Sequence, residues 1–186
     1  MKKDFAPISD QDWPLEIADM LSGFAGGLNV YRTMAHHPAL LKAWSELREH
    51  VVNQTSLGAE RSEVVILRTG VRLGSCYEWH QHIVRARKSG LDDTRIARLG
   101  GPLDGIKGDD AILSKAVDEL FSNNSLTEPT LTELRLLIGK RGILDLIATV
   151  GFYVTLGFTL NTFEVPLDDD ISDELSKNPL ARLDSK

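Results

Sequence analysis

Apolar side chains recur at spacings of three and four almost throughout this chain, and no segment alternates convincingly with period two. Such spacing lays one apolar stripe along each helix and gives no strand a face to bury, so the chain is predicted to be all-α. At 186 residues, 42% of them hydrophobic, it has material for one compact domain around its own core.

Punctuation sets the pieces. In HPALLKAWSELREHVVNQ, Pro38 stands where a first helical residue belongs, followed by Leu40, Leu41, Trp44, Leu47 and Val51 on one stripe. LGAERSEVVILRTGVRLG is apolar around most of its circumference, which predicts a central helix, and Gly70 and Gly74 would permit close helix contact. SCYEWHQHIVRARKSG ends with Arg85, Arg87 and Lys88 before Gly90, cations and a glycine suited to a helix C-terminus. LDDTRIARL is a short helix, and GGPLDGIKGDD, residues 100–110, is a loop dividing the chain into roughly equal halves. Two helices follow, the second opened by a capping-box pair, Thr130 and Glu133.

GILDLIATVGFYVTLGFTLNTF then reads as one buried helix, in which Asp145, Thr149, Thr155 and Asn161 argue against a membrane span. Laying Glu63 on Asp145 aligns this segment with residues 63–83 and drops His82 on Glu164, the pattern of a weakly duplicated helical core. From Pro166 onward, Asp168, Asp169 and Asp170 read as a solvated acidic arm available to wrap a neighbour. The organisation expected is an N-terminal segment 1–27, a helical domain 28–167 and an acidic tail 168–186.

The net charge is −6 and the basic residues are scattered, which argues against nucleic-acid binding. No uncharged apolar run reaches membrane-spanning length, and MKKDFAPISDQDWP has no apolar core behind its lysines, so a soluble chain without a cleaved signal is expected. The single cysteine, Cys76, fits a reducing cytoplasm.

The stretch GSCYEWHQH, residues 74–82, holds most of the chemistry. Glu78 and His82 stand four apart on one helix face, a proton-transfer couple, with Tyr77 and Gln81 beside them. Against this stands a plain structural reading, in which Ser75 and Glu78 form a capping box and His82 is a surface histidine. Glu63 lies among Val64, Val65, Ile66 and Leu67, where a carboxylate needs a partner; His82 is one candidate, Arg61 and Arg68 are others. His80 and His82, two apart, cannot chelate from one regular helix, so no metal is expected. His36 and His37 read as a helix entry, and Cys76 as a buried, inert thiol.

NVYRTMAHHPALLKAW, the run from LGAERSEVVILRTG through CYEWHQH to IARL, and FTLNTFEV together resemble the carboxymuconolactone decarboxylase and alkyl hydroperoxidase D superfamily. The resemblance covers about residues 28–167. It implies an all-helical, duplicated core and a homo-oligomer, trimer or hexamer. In the peroxidase branch a glutamate, a Cys-x-x-Cys pair and a histidine fall on Glu63, on Ser75 and Glu78, and on His82, so both thiols are missing here. What remains resembles the decarboxylase branch, which works without metal or organic cofactor. The resemblance therefore implies a small-molecule substrate, a carboxylate or lactone, with His82, Glu78 and Glu63 catalytic and Tyr77, Trp79 and Ser75 substrate-binding. Two alternatives stay open: a thiol peroxidase using Cys76 alone, and a non-catalytic ligand-binding or assembly module.

Overall fold

The glycines and prolines that punctuate the sequence also punctuate the fold, seen here in a computed structural model that describes residues 2–180; positions 181–186 of the expected tail lie outside the described residues. Every element among the described residues is helical. Two short 3-10 turns, Lys2–Phe5 and Leu15–Met20, lead into α1 (Phe24–Gly27) and α2 (Asn29–Met34). α3 (Pro38–Glu49) starts at the predicted proline, capped by His37, whose Nδ1 accepts from the Leu40 amide at 3.3 Å. It runs into a π-helical turn, His50–Gln54.

α4 (Ala59–Leu73) is the central helix that its all-round apolarity predicts: residues 62–70 are buried without a break. α5 (Cys76–Lys88) folds back on it and ends in a Schellman turn, with the Leu91 amide on the Ala86 carbonyl and the Gly90 amide on the Arg87 carbonyl. α6 (Asp93–Leu99), a 3-10 turn at Leu103–Gly105 in the predicted loop, α7 (Gly108–Asn123) and α8 (Glu128–Leu137) follow. α9 (Gly139–Phe163) is a single 25-residue helix packed along α4. α10 (Asp169–Lys177) packs on α5.

α4 and α9 divide the apolar interior into two clusters. Val64, Val65 and Leu67 of α4 meet α6, α7, α8 and the first half of α9, while Ile66 faces α2, α3 and the second half, with Phe152, Tyr153 and Leu156. The site lies where α5 crosses the second cluster.

Three expectations are corrected. Thr130 does not open α8: Thr127 is the N-cap, and both threonines donate to Glu119 from the preceding helix, while Glu133 pairs with Lys115 at 3.2 Å. α9 is buried on one side only; Leu144 and Phe158 are 68% and 61% exposed. The helix is long and apolar enough to cross a membrane by length and composition alone, and half of its most apolar stretch is buried within the protein. Asp168, finally, is no part of a solvated arm. It is buried and accepts hydrogen bonds from the Asn29 amide at 2.8 Å and the Tyr77 hydroxyl, so the tail wraps its own chain.

Candidate active site

The turn between α4 and α5 builds the site. Gly74 takes a left-handed conformation, φ +59°, that closes α4 and reverses the chain. Ser75 then caps α5, its Oγ accepting from the Glu78 amide at 3.4 Å. Gly70 lets the two helices touch, since a Cβ there would lie 3.3 Å from the Glu78 Cβ. This close approach brings Glu63, near the start of α4, against His82, two turns into α5.

The His82 Nδ1 and Glu63 Oε2 are 2.7 Å apart, and the Nε2 on the other side of the ring lies 3.5 Å from Glu78 Oε2. Glu78 and His82 are 2% and 3% exposed, which sets aside the surface-histidine reading. Arg68, an alternative partner for Glu63, is instead bound to Asp118 and to the carbonyls of Leu99 and Gly101; Arg61 pairs with Asp109. The edge of Tyr153, from α9, meets the imidazole with ring centroids 5.1 Å apart.

Glu78, His82, Tyr77, Gln81 and Arg85 of α5 form one wall of a small cavity; Leu28, Val30, Tyr31, Arg48, Val52, Tyr153 and Leu156 complete it. Its volume, about 20 Å³, suits a single water molecule. Three buried polar atoms of the residues lining this cavity have no hydrogen-bond partner, Glu78 Oε1, Gln81 Oε1 and Arg48 Nε. Buried polar groups are otherwise almost always paired, so these orphans mark a place prepared for something polar.

Burial pushes the Glu78 carboxyl up to about 8, and the nearby Glu63 charge adds to the rise while Arg85 opposes it. Burial also pulls the His82 imidazole down, against the attraction of Glu63. At neutral pH Glu78 therefore keeps its proton and the His82 ring is neutral, with its Nδ1 hydrogen-bonded to Glu63. Burial raises Tyr31 to about 12, with Arg48 pulling the other way. The Tyr77 and Tyr153 hydroxyls are raised as well, Tyr77 by burial and then by its bond to Asp168, so all three phenols stay protonated.

Of the residues singled out in the sequence, Glu63, Glu78, His82 and Tyr77 come together here. Ser75 and Trp79 do not line the cavity. Ser75 is the helix cap, and Trp79 packs on the other side of α5, where a Cβ on Gly100 would lie 3.0 Å from its ring. Cys76 is exposed rather than buried and is also outside the cavity wall. Tyr31, Arg48, Tyr153 and Arg85 escaped the sequence reading. Only Arg85 left a signal, its spacing of seven from Glu78 and three from His82, and that signal was spent on the helix C-terminus. Among the described residues no group of three or more His, Cys, Asp and Glu side chains is arranged to hold a metal ion.

Comparison with known proteins adds the lineage. No functionally curated protein matches the sequence. Solved structures of the debrominase Bmp8, one without ligand and one of a cysteine-to-alanine variant in complex with 2,3,4-tribromopyrrole, superpose with TM-score 0.71 at 12% identity, covering 93% of this chain and 96% of theirs. At that identity the likeness is one of fold. The carboxymuconolactone decarboxylase family model matches residues 38–118, a span that includes α3, the α4–α5 turn and all of Glu63, Glu78 and His82. The fold and the match agree: residues 38–118 of this chain are a carboxymuconolactone decarboxylase family region.

Proposed function

We propose that this protein is a cofactor-free acid–base enzyme of the decarboxylase-like branch, acting on a small carboxylate or lactone by decarboxylation or proton transfer. The observation that carries the reading is Glu78: a fully buried carboxyl group on the cavity wall, held neutral at physiological pH, with one oxygen unpartnered. A neutral carboxylic acid buried in a small pocket is a proton donor whose pKa lies near the working pH, where general acids are most effective.

The steps balance without an added reagent. As the bond to the departing carboxylate breaks, its electrons enter a conjugated carbonyl, carbon dioxide leaves, and the resulting enolate carbon takes the Glu78 proton. One carboxylate and one proton become carbon dioxide and a C–H bond. Glu78, now ionised, is reprotonated from water through His82, whose imidazolium form is stabilised meanwhile by Glu63 at 2.7 Å. Glu63 thus acts by positioning and charging the ring. Arg48 and Arg85 put positive charge on two sides of the cavity, which favours an anionic substrate and the enolate oxygen. Tyr31, Tyr77 and Tyr153 supply flat walls for a planar ring, and the debrominase neighbour was solved in complex with one, 2,3,4-tribromopyrrole. A lactone exceeds the present volume, so entry requires the wall carrying Tyr31 and Arg48 to part from α5.

The test uses carboxymuconolactone in deuterated buffer, followed by NMR. The expected product has lost carbon dioxide and carries deuterium at the protonated carbon. Glu78→Gln, nearly isosteric, is expected to slow turnover by roughly 10²–10⁴-fold, the usual worth of a general acid. Unchanged turnover in both Glu78→Gln and His82→Ala would end this reading.

A further inference from the structure

Asp168 is buried and has no part in the proton transfer, yet it is hydrogen-bonded to two residues of the cavity wall. Its Oδ1 accepts from the Asn29 amide at 2.8 Å, and its Oδ2 accepts from the Tyr77 hydroxyl. The Gln81 Nε2 lies 3.5 Å from the same Oδ2. Tyr77 and Gln81 both line the cavity, one turn apart on one face of α5. A carboxylate that already gathers an amide and a phenol is an acceptor only, so it selects which end of the Gln81 amide faces it. The nitrogen goes to Asp168, and the oxygen is turned away from it, on the side chain that lines the cavity.

That oxygen has no partner, on a residue that is 3% exposed. The other two orphans of the cavity differ from it in kind. Arg48 Nε is a donor and suits an anion, while Glu78 keeps its proton and can present either a hydroxyl or a carbonyl oxygen. Gln81, with its nitrogen committed, offers an acceptor alone. A carboxylate or a ring oxygen brings no hydrogen to it, whereas a hydroxyl or an N–H does. A ligand that displaces water from this oxygen without supplying a hydrogen leaves a buried acceptor unpaired, and a site of this kind rejects the analogue that lacks the donor.

We propose that Gln81, oriented by Asp168, is a specificity residue that selects a hydrogen-bond donor on the substrate. The preferred substrate is then a small carboxylate that also carries a hydroxyl or N–H group, the carboxylate drawn by Arg48 and Arg85 and the donor by Gln81. This rests on the cavity being the substrate site and narrows the substrate class given above. Gln81 touches the substrate; Asp168 acts through it, as a positioning residue.

Equilibrium binding, followed by NMR titration at neutral pH, tests the selection with matched pairs of acids. The pairs are acetate and glycolate, propionate and 3-hydroxypropionate, and benzoate and its hydroxy isomers. In the wild type at least one hydroxy acid is expected to bind roughly tenfold or more tighter than its parent. Gln81→Met, close in shape but without the acceptor, is expected to abolish that advantage while the parent's affinity is kept. Asp168→Asn keeps an acceptor for the Asn29 amide and puts an NH2 group in place of Oδ2, which turns the Gln81 amide over, so the advantage is expected to fall several-fold. A merely structural Asp168 would weaken parent and hydroxy acid alike and leave their ratio unmoved, which would overturn its role. Equal binding of parents and hydroxy acids, no binding by any of them, or a preference that survives Gln81→Met would each overturn the proposal. A preference found in a protein that does not turn over carboxymuconolactone would end the decarboxylase reading and keep this one. Glu78-dependent turnover without the preference would do the reverse.

Discussion

Glu63 and Asp145, which coincide when residues 63–83 are laid on the second half of the sequence, are used in opposite ways. Each lies near the start of a long central helix. After Glu63 the chain turns at Gly74 and returns as α5, so that His82 comes back to within 2.7 Å. After Asp145 there is no turn: α9 continues to Phe163, and Glu164, the counterpart of His82, ends up about 28 Å along the helix. The cause is local. Where the first half has Gly74 and Ser75, the second has Leu156 and Gly157, and Gly157 serves as a notch for Leu73 at the end of α4; a Cβ on it would lie 2.6 Å from the Leu73 Cδ1. The half that turns makes a pocket, and the half that runs straight makes a wall for it.

The acids differ in their bonding accordingly. Asp145 is satisfied on every side, by His50 at 2.8 Å and by the Ser56 amide and hydroxyl at 2.7 and 2.5 Å. Against the burial that would raise it, these hydrogen bonds hold its carboxyl below the usual range. Glu78 has burial without such bonds and is raised to about 8. The two halves should therefore respond to pH from opposite sides, and this is the largest effect expected. Between its ordinary value of 4.5 and about 8, Glu78 keeps a proton in the folded chain that the unfolded chain releases, so stability falls as pH rises through that window. The full span corresponds to an upper limit of about 5 kcal/mol. Asp145 contributes stability above its ordinary value of 3.8 that is lost as pH falls through its depressed folded value. Urea titrations from pH 3 to 9 should show Glu78→Gln flattening the fall in stability between pH 4.5 and about 8, and Asp145→Asn flattening the loss below pH 3.8. A wild-type fall between pH 4.5 and about 8 retained in Glu78→Gln would mean that another group carries it.

Next in size is the direct exchange of roles. Glu63→Gln keeps the shape but takes away the charge that stabilises the His82 imidazolium, and turnover of carboxymuconolactone should fall about 100-fold, the order found when an orienting partner is lost. A flattened pH–rate profile should accompany the fall, which a purely structural role would not produce. Asp145→Ala should leave turnover within a few-fold of wild type and cost about 2–3 kcal/mol, since the Ser56 and His50 donors lose a charged acceptor. If instead Asp145→Ala abolishes turnover at full stability, the straight half is part of the chemistry and the contrast between the halves fails.

How much of this could be read from residues alone also divides along the two halves. Around Glu63 and His82 the relevant signals are local: a carboxylate in an apolar run, a Gly-Ser turn, an i,i+4 pair. Those are sequence-visible because a single turn converts them into a contact. Tyr153 and Tyr31 reach the same cavity from helices far away in the chain, and nothing in the spacing of either segment indicates a polar neighbour. Asp168 misled for the opposite reason. Three consecutive aspartates look solvated, yet the first of them finds the Asn29 amide, 139 residues away, and the Tyr77 hydroxyl. Trp79 erred by one helical face: its neighbours Glu78 and Tyr77 line the cavity, and a 100° step per residue turns it toward Gly100 instead.

The smallest effects belong to two mid-helix glycines, Gly70 in the turning half and Gly151 in the straight one. An alanine in an open helix position gains about 1 kcal/mol over glycine. At Gly70 that gain meets Glu78 Cβ at 3.3 Å and the Trp79 amide nitrogen at 3.4 Å, backbone and near-backbone atoms that can only yield by moving α5. Gly70→Ala should therefore be net destabilising by about 1 kcal/mol and should lower turnover, because the shift displaces the acid itself. Gly151→Ala meets nothing in its own chain and should gain the full amount in dilute solution. Thermal unfolding of both variants checks this, and a Gly70→Ala gain equal to that of Gly151→Ala would mean that the two helices of the pocket half are not held in contact at Gly70.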